Sequence, residues 1–329
     1  MEEEKMSADD PVQSAKTPPL DRGASSSPPP ANLQGWAASG RVRKFALAVF
    51  ILVLAFFVPL FELVRFAATS EFHSYILLIP FISAYLIWVK RRTLPLDSRP
   101  APFAGKSWLA AGAATILAYW LFFRAHGRLV EDDYLALMMV SFLLCFTGVC
   151  CIFWGKAALR AAVFPLAMLA FMVPIPSFAT SPIDHFLQRG SAAAAQGFFM
   201  LSGTPYLQTG LTFQLPNISI QIAPECSGIQ SSLVLLITGL LASYLFLRTT
   251  WKRAFLTLFM IPLGLLRNGF RVFVIGELCV HYGPQMIDSP IHHRGGPIFF
   301  ALSLIPLFLL LIWLHRSERP KTSVPTSKV

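Results

Sequence analysis

Apolar stretches, each long enough to cross a hydrocarbon layer, fill most of the chain and leave it few ways to fold. They fall at roughly 45–66, 74–90, 107–124, 133–154, 158–176, 226–247, 253–282 and 296–315. At 1.5 Å per residue, a helix of about 20 residues covers the ~30 Å core of a bilayer. Backbone in lipid has no water to bond its N–H and C=O groups, so spanning segments must be helices or strands of a closed barrel. Apolar and polar residues hardly alternate here, which argues against the barrel. Composition agrees, with 55% hydrophobic and 13% charged residues among 329. The expected fold is an all-α polytopic membrane protein with about eight transmembrane helices.

Orientation follows from Lys and Arg in the short connections, which stay on the cytoplasmic side. Arg41, Arg43 and Lys44, then Lys90, Arg91, Arg92, Arg99 and Lys106, then Lys156 and Arg160, then Arg248, Lys252 and Arg253, and finally Arg316, Arg319 and Lys321 all fall on one side of an eight-span path. Both termini are therefore expected in the cytoplasm of a cell whose inner membrane the chain crosses. The opposite connections carry Glu71 and His73, the acidic triplet Glu131, Asp132 and Asp133, and the segments 177–225 and 283–295. The formal charge of +10 is mostly this bias. It points to the lipid bilayer as partner and not to nucleic acid.

Residues 1–40 differ in kind, being rich in Pro, Ser and charge, with too little apolar surface to offset the entropy of ordering. They are expected to form a disordered cytoplasmic tail without a cleavable signal peptide. The transmembrane domain then covers 41–315, and 316–329 is a short basic tail. Within the domain, 177–225 is the one large extracytoplasmic insertion. SPIDHFLQRGSAAAAQGFFML reads as a helix with an apolar side, at or dipping into the interface. YLQTGLTFQL and ISIQIA, separated by Pro216 and Asn217, read as a small hairpin. Small residues such as those in SAAAAQG pack within a chain as readily as between chains, so no oligomeric state follows.

The cysteines are Cys145, Cys150, Cys151, Cys226 and Cys279, without the paired spacing of a disulfide framework. Four lie inside apolar spans and read as small buried hydrophobes. Cys226 differs, because it opens a helix just after Pro224, where unpaired N–H groups and the helix dipole favour a thiolate. It is either reactive or a packed interfacial residue. From Cys226 the sixth span descends roughly 33 Å, and the seventh climbs roughly 27 Å from Arg253 to Arg271. The two return to nearly the same height. In LLRNGFRVFVIGEL, Arg267, Asn268 and Arg271 are spaced by three and four and share a helical face. A guanidinium cannot be deprotonated and is costly in hydrocarbon, so that face should meet a wet pocket or an anion, unless a side chain snorkels to the headgroups. His292 and His293, in SPIHHRGGPIFF, lie on the same outer side. Together these residues supply a nucleophile, a fixed positive charge and a titratable base.

ECSGI at 225–229, NGFR at 268–271, and His292 followed by Gly296 and the pair Phe299 and Phe300 resemble the three signature regions of the exosortase and archaeosortase family, in the expected order. The resemblance covers about residues 42–315. It implies an integral-membrane cysteine transpeptidase with no cofactor and no metal, and assigns the catalytic roles to Cys226, Arg271 and His292. Glu225, Ser227, Gly228, Arg267 and Asn268 are supporting candidates, and His293 is an alternate base. The step of four from His292 meets Gly296, whereas from His293 it lands on Pro297. The partners implied are secreted proteins with a C-terminal Pro-Glu-Pro-like motif, a transmembrane helix and a basic tail, as in exopolysaccharide-associated protein sorting.

Such residues can do the following chemistry at the outer face. A thiolate attacks a peptide carbonyl, arginine or helix N-terminal amides meet the oxyanion, and histidine protonates the leaving amine. The resulting thioester is resolved by water or by an amine or hydroxyl acceptor, and the residues do not say which. The alternatives are a small-molecule transporter, which would show half-sequence repeats and a polar site near the midplane, and a non-enzymatic assembly factor, for which Cys226 would be dispensable. A metal hydrolase using His281, Asp288, His292 and His293 lacks a helical ligand pair of the HExxH kind.

Overall fold

A computed structural model describes residues 31–95, 98–127, 129–216, 218–223, 228–288 and 295–318, with the backbone alone described at 31–39, 71, 72, 124 and 126. Contacts divide the chain into residues 1–46, whose described part is the start of the first helix, and residues 47–329. The helices are α1 (Ala31–Ala55), α2 (Phe57–Thr69), α3 (Ile79–Lys90), α4 (Pro102–His126), α5 (Glu131–Ala161), α6 (Val163–Met168), α7 (Ser177–Ser202), α8 (Ile229–Phe246), α9 (Thr250–Tyr282) and α10 (Gly296–Arg316). Short 3₁₀ turns at Glu71–Leu78, Leu169–Met172 and Pro284–Asp288 join or extend them. Between α7 and α8 lie strands β1 (Leu207–Thr209), β2 (Thr212–Leu215) and β3 (Ile218–Gln221).

The protein is an all-α polytopic membrane protein: among the described residues six helices are long and apolar enough to span, or up to eight if two bent pairs each count as one. Each of the eight expected spans has a counterpart, but two are not straight. The first bends by 70° between Gly40–Ala55 and Phe57–Thr69. Pro59 is the cause, since it has no N–H for the Ala55 carbonyl and its ring crowds that oxygen. The fifth ends early, because Pro174 and Pro176 follow the 3₁₀ turn Leu169–Met172 and hold Val173 extended (φ −76°, ψ 118°). The chain leaves it at 93° as α7. The expected break between the fourth and fifth spans is instead a kink inside α5 at Gly155, where φ is 76°.

Helix α1 begins at Ala31, inside the stretch expected to be disordered. Extending a helix already nucleated by the first span costs far less than starting one. Residues 1–30 and 319–329 lie outside the described residues. The expected hairpin is a three-stranded meander, because its first half is itself a hairpin turning at Gly210. Leu207 pairs with Gln214, and Thr212 with Gln221, both antiparallel. Its inward residues Phe213, Leu215 and Ile220 bury against Phe199 of α7 and Val272 of α9.

Further cores among the described residues hold the bundle. Leu63, Ile79, Leu86, Leu135, Met139 and Met168 join α2, α3, α5 and α6, and Leu235, Leu256, Met260, Leu307 and Leu311 join α8, α9 and α10. Cys145, Cys150, Cys151 and Cys279 are buried free thiols, as small hydrophobes should be. Side chains close the ends. Asp133, in the acidic first turn of α5, accepts the Ser177 N–H at 2.7 Å and its hydroxyl at 2.6 Å, capping α7. Glu318 accepts the Arg248 and Thr249 N–H groups, each at 2.9 Å, at the start of α9.

Candidate functional site

The site is built from the start of α8 and the middle of α9, which pack as neighbours. Gly228, the N-cap of α8, is left-handed (φ 74°, ψ 19°), a conformation that costs an L-residue about 1–2 kcal/mol. It also has no room for a side chain. A Cβ would stand 2.9 Å from Asn268 Oδ1 and 3.2 Å from Arg267 Nη2. The Gly228 carbonyl accepts the Ser232 N–H at 2.9 Å and the Ser231 hydroxyl at 3.1 Å. Arg267 Nη2 in turn donates to Ser231 Oγ. Arginine, serine and glycine thus form one hydrogen-bonded chain that seats the end of the ECSGI segment on α9.

The NGFR segment divides its work among neighbours. Asn268 is buried and donates through Nδ2 to Ser191 Oγ on α7 at 3.0 Å. Gly269 lets α7 come close, since a Cβ there would lie 2.8 Å from the Ala195 nitrogen and 2.9 Å from the Ser191 carbonyl. The small residues of SAAAAQG therefore pack within the chain. Phe270 meets Phe198 of α7 edge-on, with centroids 5.4 Å apart, and Phe299 of α10 at 6.1 Å. Arg271 is half-buried.

Arg267 is the more deeply buried arginine, 8% exposed, and its Nη1 has no hydrogen-bond partner among the described residues. Burying a charged donor without a partner is costly, and a guanidinium cannot neutralise itself by losing a proton. The Arg267 guanidinium beside Gly228 is therefore suited to meeting an oxyanion, a carboxylate or a carbonyl oxygen. The structure brings together Gly228, Arg267 and Asn268, and α10 reaches the same segment through Phe299. Glu225, Cys226, Ser227, His292 and His293 lie outside the described residues. The fold adds two supporting residues, Ser231 and Ser191. Ser231 stands one turn beyond Gly228, a detectable spacing, whereas nothing in the sequence marks Ser191.

Fold and site together define a polytopic helical membrane protein with a buried arginine held between α8 and α9. The profile of the transmembrane exosortase family matches residues 67–309, and the chain belongs to that family. No curated protein and no solved structure matches it. Exosortases are generally cysteine transpeptidases, so membership supports a membrane transpeptidase or protease role in general.

Proposed function

We propose that this protein is a cysteine peptidase or transpeptidase that cleaves the C-terminal sorting signal of secreted proteins at the outer face of the cytoplasmic membrane. One observation carries the reading: Gly228, at the end of the cysteine segment, rests on Arg267 and Asn268 of the arginine segment. Cys226 precedes Gly228 by two residues, a chain length of at most about 7.6 Å between Cα atoms. The contact of Phe270 with Phe299 supports it further, because α10 follows the histidine segment.

In this reading the Cys226 thiolate attacks the scissile carbonyl and forms a C–S bond. Arg271, with Arg267 behind it, stabilises the oxyanion. As the tetrahedral intermediate collapses, the C–N bond breaks and the amine leaves with a proton donated by His292. Water then releases an acid, or an amine or hydroxyl acceptor takes the acyl group. The substrate's transmembrane helix supplies affinity from the bilayer, so the site needs to read only a short extended motif of the Pro-Glu-Pro kind. Both termini of the enzyme face the cytoplasm in this reading, in keeping with the Lys and Arg bias of the short connections.

Mass spectrometry of the C-terminus of a co-expressed secreted protein tests this. A truncated or acceptor-linked terminus is expected with the unaltered chain, and an intact one with Cys226→Ala at equal membrane abundance. Unchanged processing by Cys226→Ala would end the covalent mechanism.

A further inference from the structure

The opposite end of α8, about 27 Å along its axis from Gly228, carries a second concave surface that the proposed chemistry does not use. A groove of about 760 Å³ opens where the ends of α3, α5 and α8 meet α6 and the start of α9. Lys90, Arg160 and Arg253 line it, and no carboxylate is among its described lining residues. Two of these cations are held in place. Lys90 Nζ stands 4.6 Å, and Arg253 Cζ 5.2 Å, from the centre of the Tyr244 ring. That ring stacks on Phe164 at 3.6 Å. Arg253 also donates through Nε to the Leu247 carbonyl at 2.8 Å. The Tyr244 hydroxyl is buried without a hydrogen-bond partner among the described residues. Arg160 is exposed.

Below this cationic rim the wall is aliphatic. Leu258 and Ile261 of α9 line the groove and are 66% and 41% exposed, on a spanning helix whose uncovered side faces acyl chains. Three like charges with no carboxylate among the described lining residues repel one another, and cation–π contacts offset only part of that. A small inorganic anion would answer the charges and leave the aliphatic wall unused. An acidic soluble peptide would have to lie against a wall that belongs to the bilayer. An amphiphile with a negative head and a hydrocarbon tail answers both. We infer that this groove binds an anionic phospholipid, its phosphodiester among Lys90, Arg160 and Arg253 and an acyl chain along Leu258 and Ile261. Basic pockets between transmembrane helices at the headgroup level are the usual form of such sites. A bound lipid would fill the seam between α6, α8 and α9.

The test uses the full chain in detergent micelles, titrated with phosphatidylglycerol or with phosphatidylcholine of the same acyl chains, and read by native mass spectrometry. Phosphatidylglycerol should be retained at about a tenth of the concentration that phosphatidylcholine needs, and Lys90→Gln and Arg160→Gln should each weaken it about five-fold. Arg160 is the safer variant, because its side chain is exposed and its loss should leave the fold intact. Lys106→Gln, which removes a cation outside the groove, should change nothing. Equal retention of the two lipids would overturn the inference, as would unchanged preference in both groove variants. Competition by glycerol phosphate at the lipid's own concentration would also overturn it, since the site would then read a soluble phosphate and not a membrane lipid.

Discussion

Gly228→Ala tests how the cysteine segment is seated. Two separable costs follow from the geometry. An alanine at φ 74° pays the left-handed penalty of about 1–2 kcal/mol. Its Cβ, 2.9 Å from the Asn268 Oδ1 and Cγ atoms, forces that buried amide aside, for which overpacking costs of about 1–3 kcal/mol are usual. The sum is about 2–5 kcal/mol. Asn268 cannot move without disturbing its bond to Ser191, so activity should fall with stability. Asn268→Ala separates the two terms. By itself it should cost about 1–3 kcal/mol, because the buried Ser191 hydroxyl loses its donor, but it removes the atoms that the new Cβ would strike. In that background Gly228→Ala should cost its backbone term and the milder crowding of Arg267 Nη2 at 3.2 Å, so the two changes should still be less than additive by about 1–3 kcal/mol. Thermal midpoints of the four purified proteins in one detergent, ranked against each other, give the sign of the coupling. Equal loss from Gly228→Ala in both backgrounds would refute the contact between Gly228 and Asn268. No loss in either would refute the left-handed geometry as well.

The two arginines should fail in different ways. Arg267→Lys should lower the thermal midpoint, since a lysine in this buried place gives up the charge-assisted bond to Ser231, worth about 1.5–3 kcal/mol. Arg271→Lys should keep the midpoint and lose about 10²–10³ in turnover, the usual cost of an oxyanion donor; loss of stability without loss of chemistry at Arg271 would make it a helix anchor. His292→Ala should abolish turnover together with its titration near neutral pH, whereas His293→Ala should keep the titration and slow the reaction modestly; the reverse result would move the base by one residue. At the other end of the bundle, the Arg248 and Thr249 amides hold the Glu318 carboxylate down at about 2. Because the folded value is depressed, this stabilisation is complete above the ordinary carboxylate range and is lost as pH falls toward 2. The midpoint difference between the unaltered chain and Glu318→Gln should therefore shrink over that interval, and a constant difference would place the effect elsewhere.

Much of this protein is legible along one dimension. A run of some twenty apolar residues must bond its own backbone in lipid, so the helices and their approximate ends follow from hydropathy alone. Spacings of three and four put Arg267, Asn268 and Arg271 on one face, and counting 1.5 Å per residue down one span and up the next brings the start of α8 level with them. The contact of Gly228 with Asn268 agrees with that count. Tertiary structure decided what depends on neighbours remote in sequence. That Arg267 is bonded to Ser231 and buried more deeply than Arg271 reflects how α8 and α9 are rotated about their axes, which spacing within either helix leaves open. Ser191 bonds Asn268 only because Gly269 and the alanines of α7 permit a close approach. The sharp bends at Phe56 and after Met172 likewise come from the site at which proline removes a backbone donor, together with the packing that fixes the angle of turn. Local chemistry names the groups that a membrane helix can carry, and only the packing of helices against one another determines which of them share a pocket.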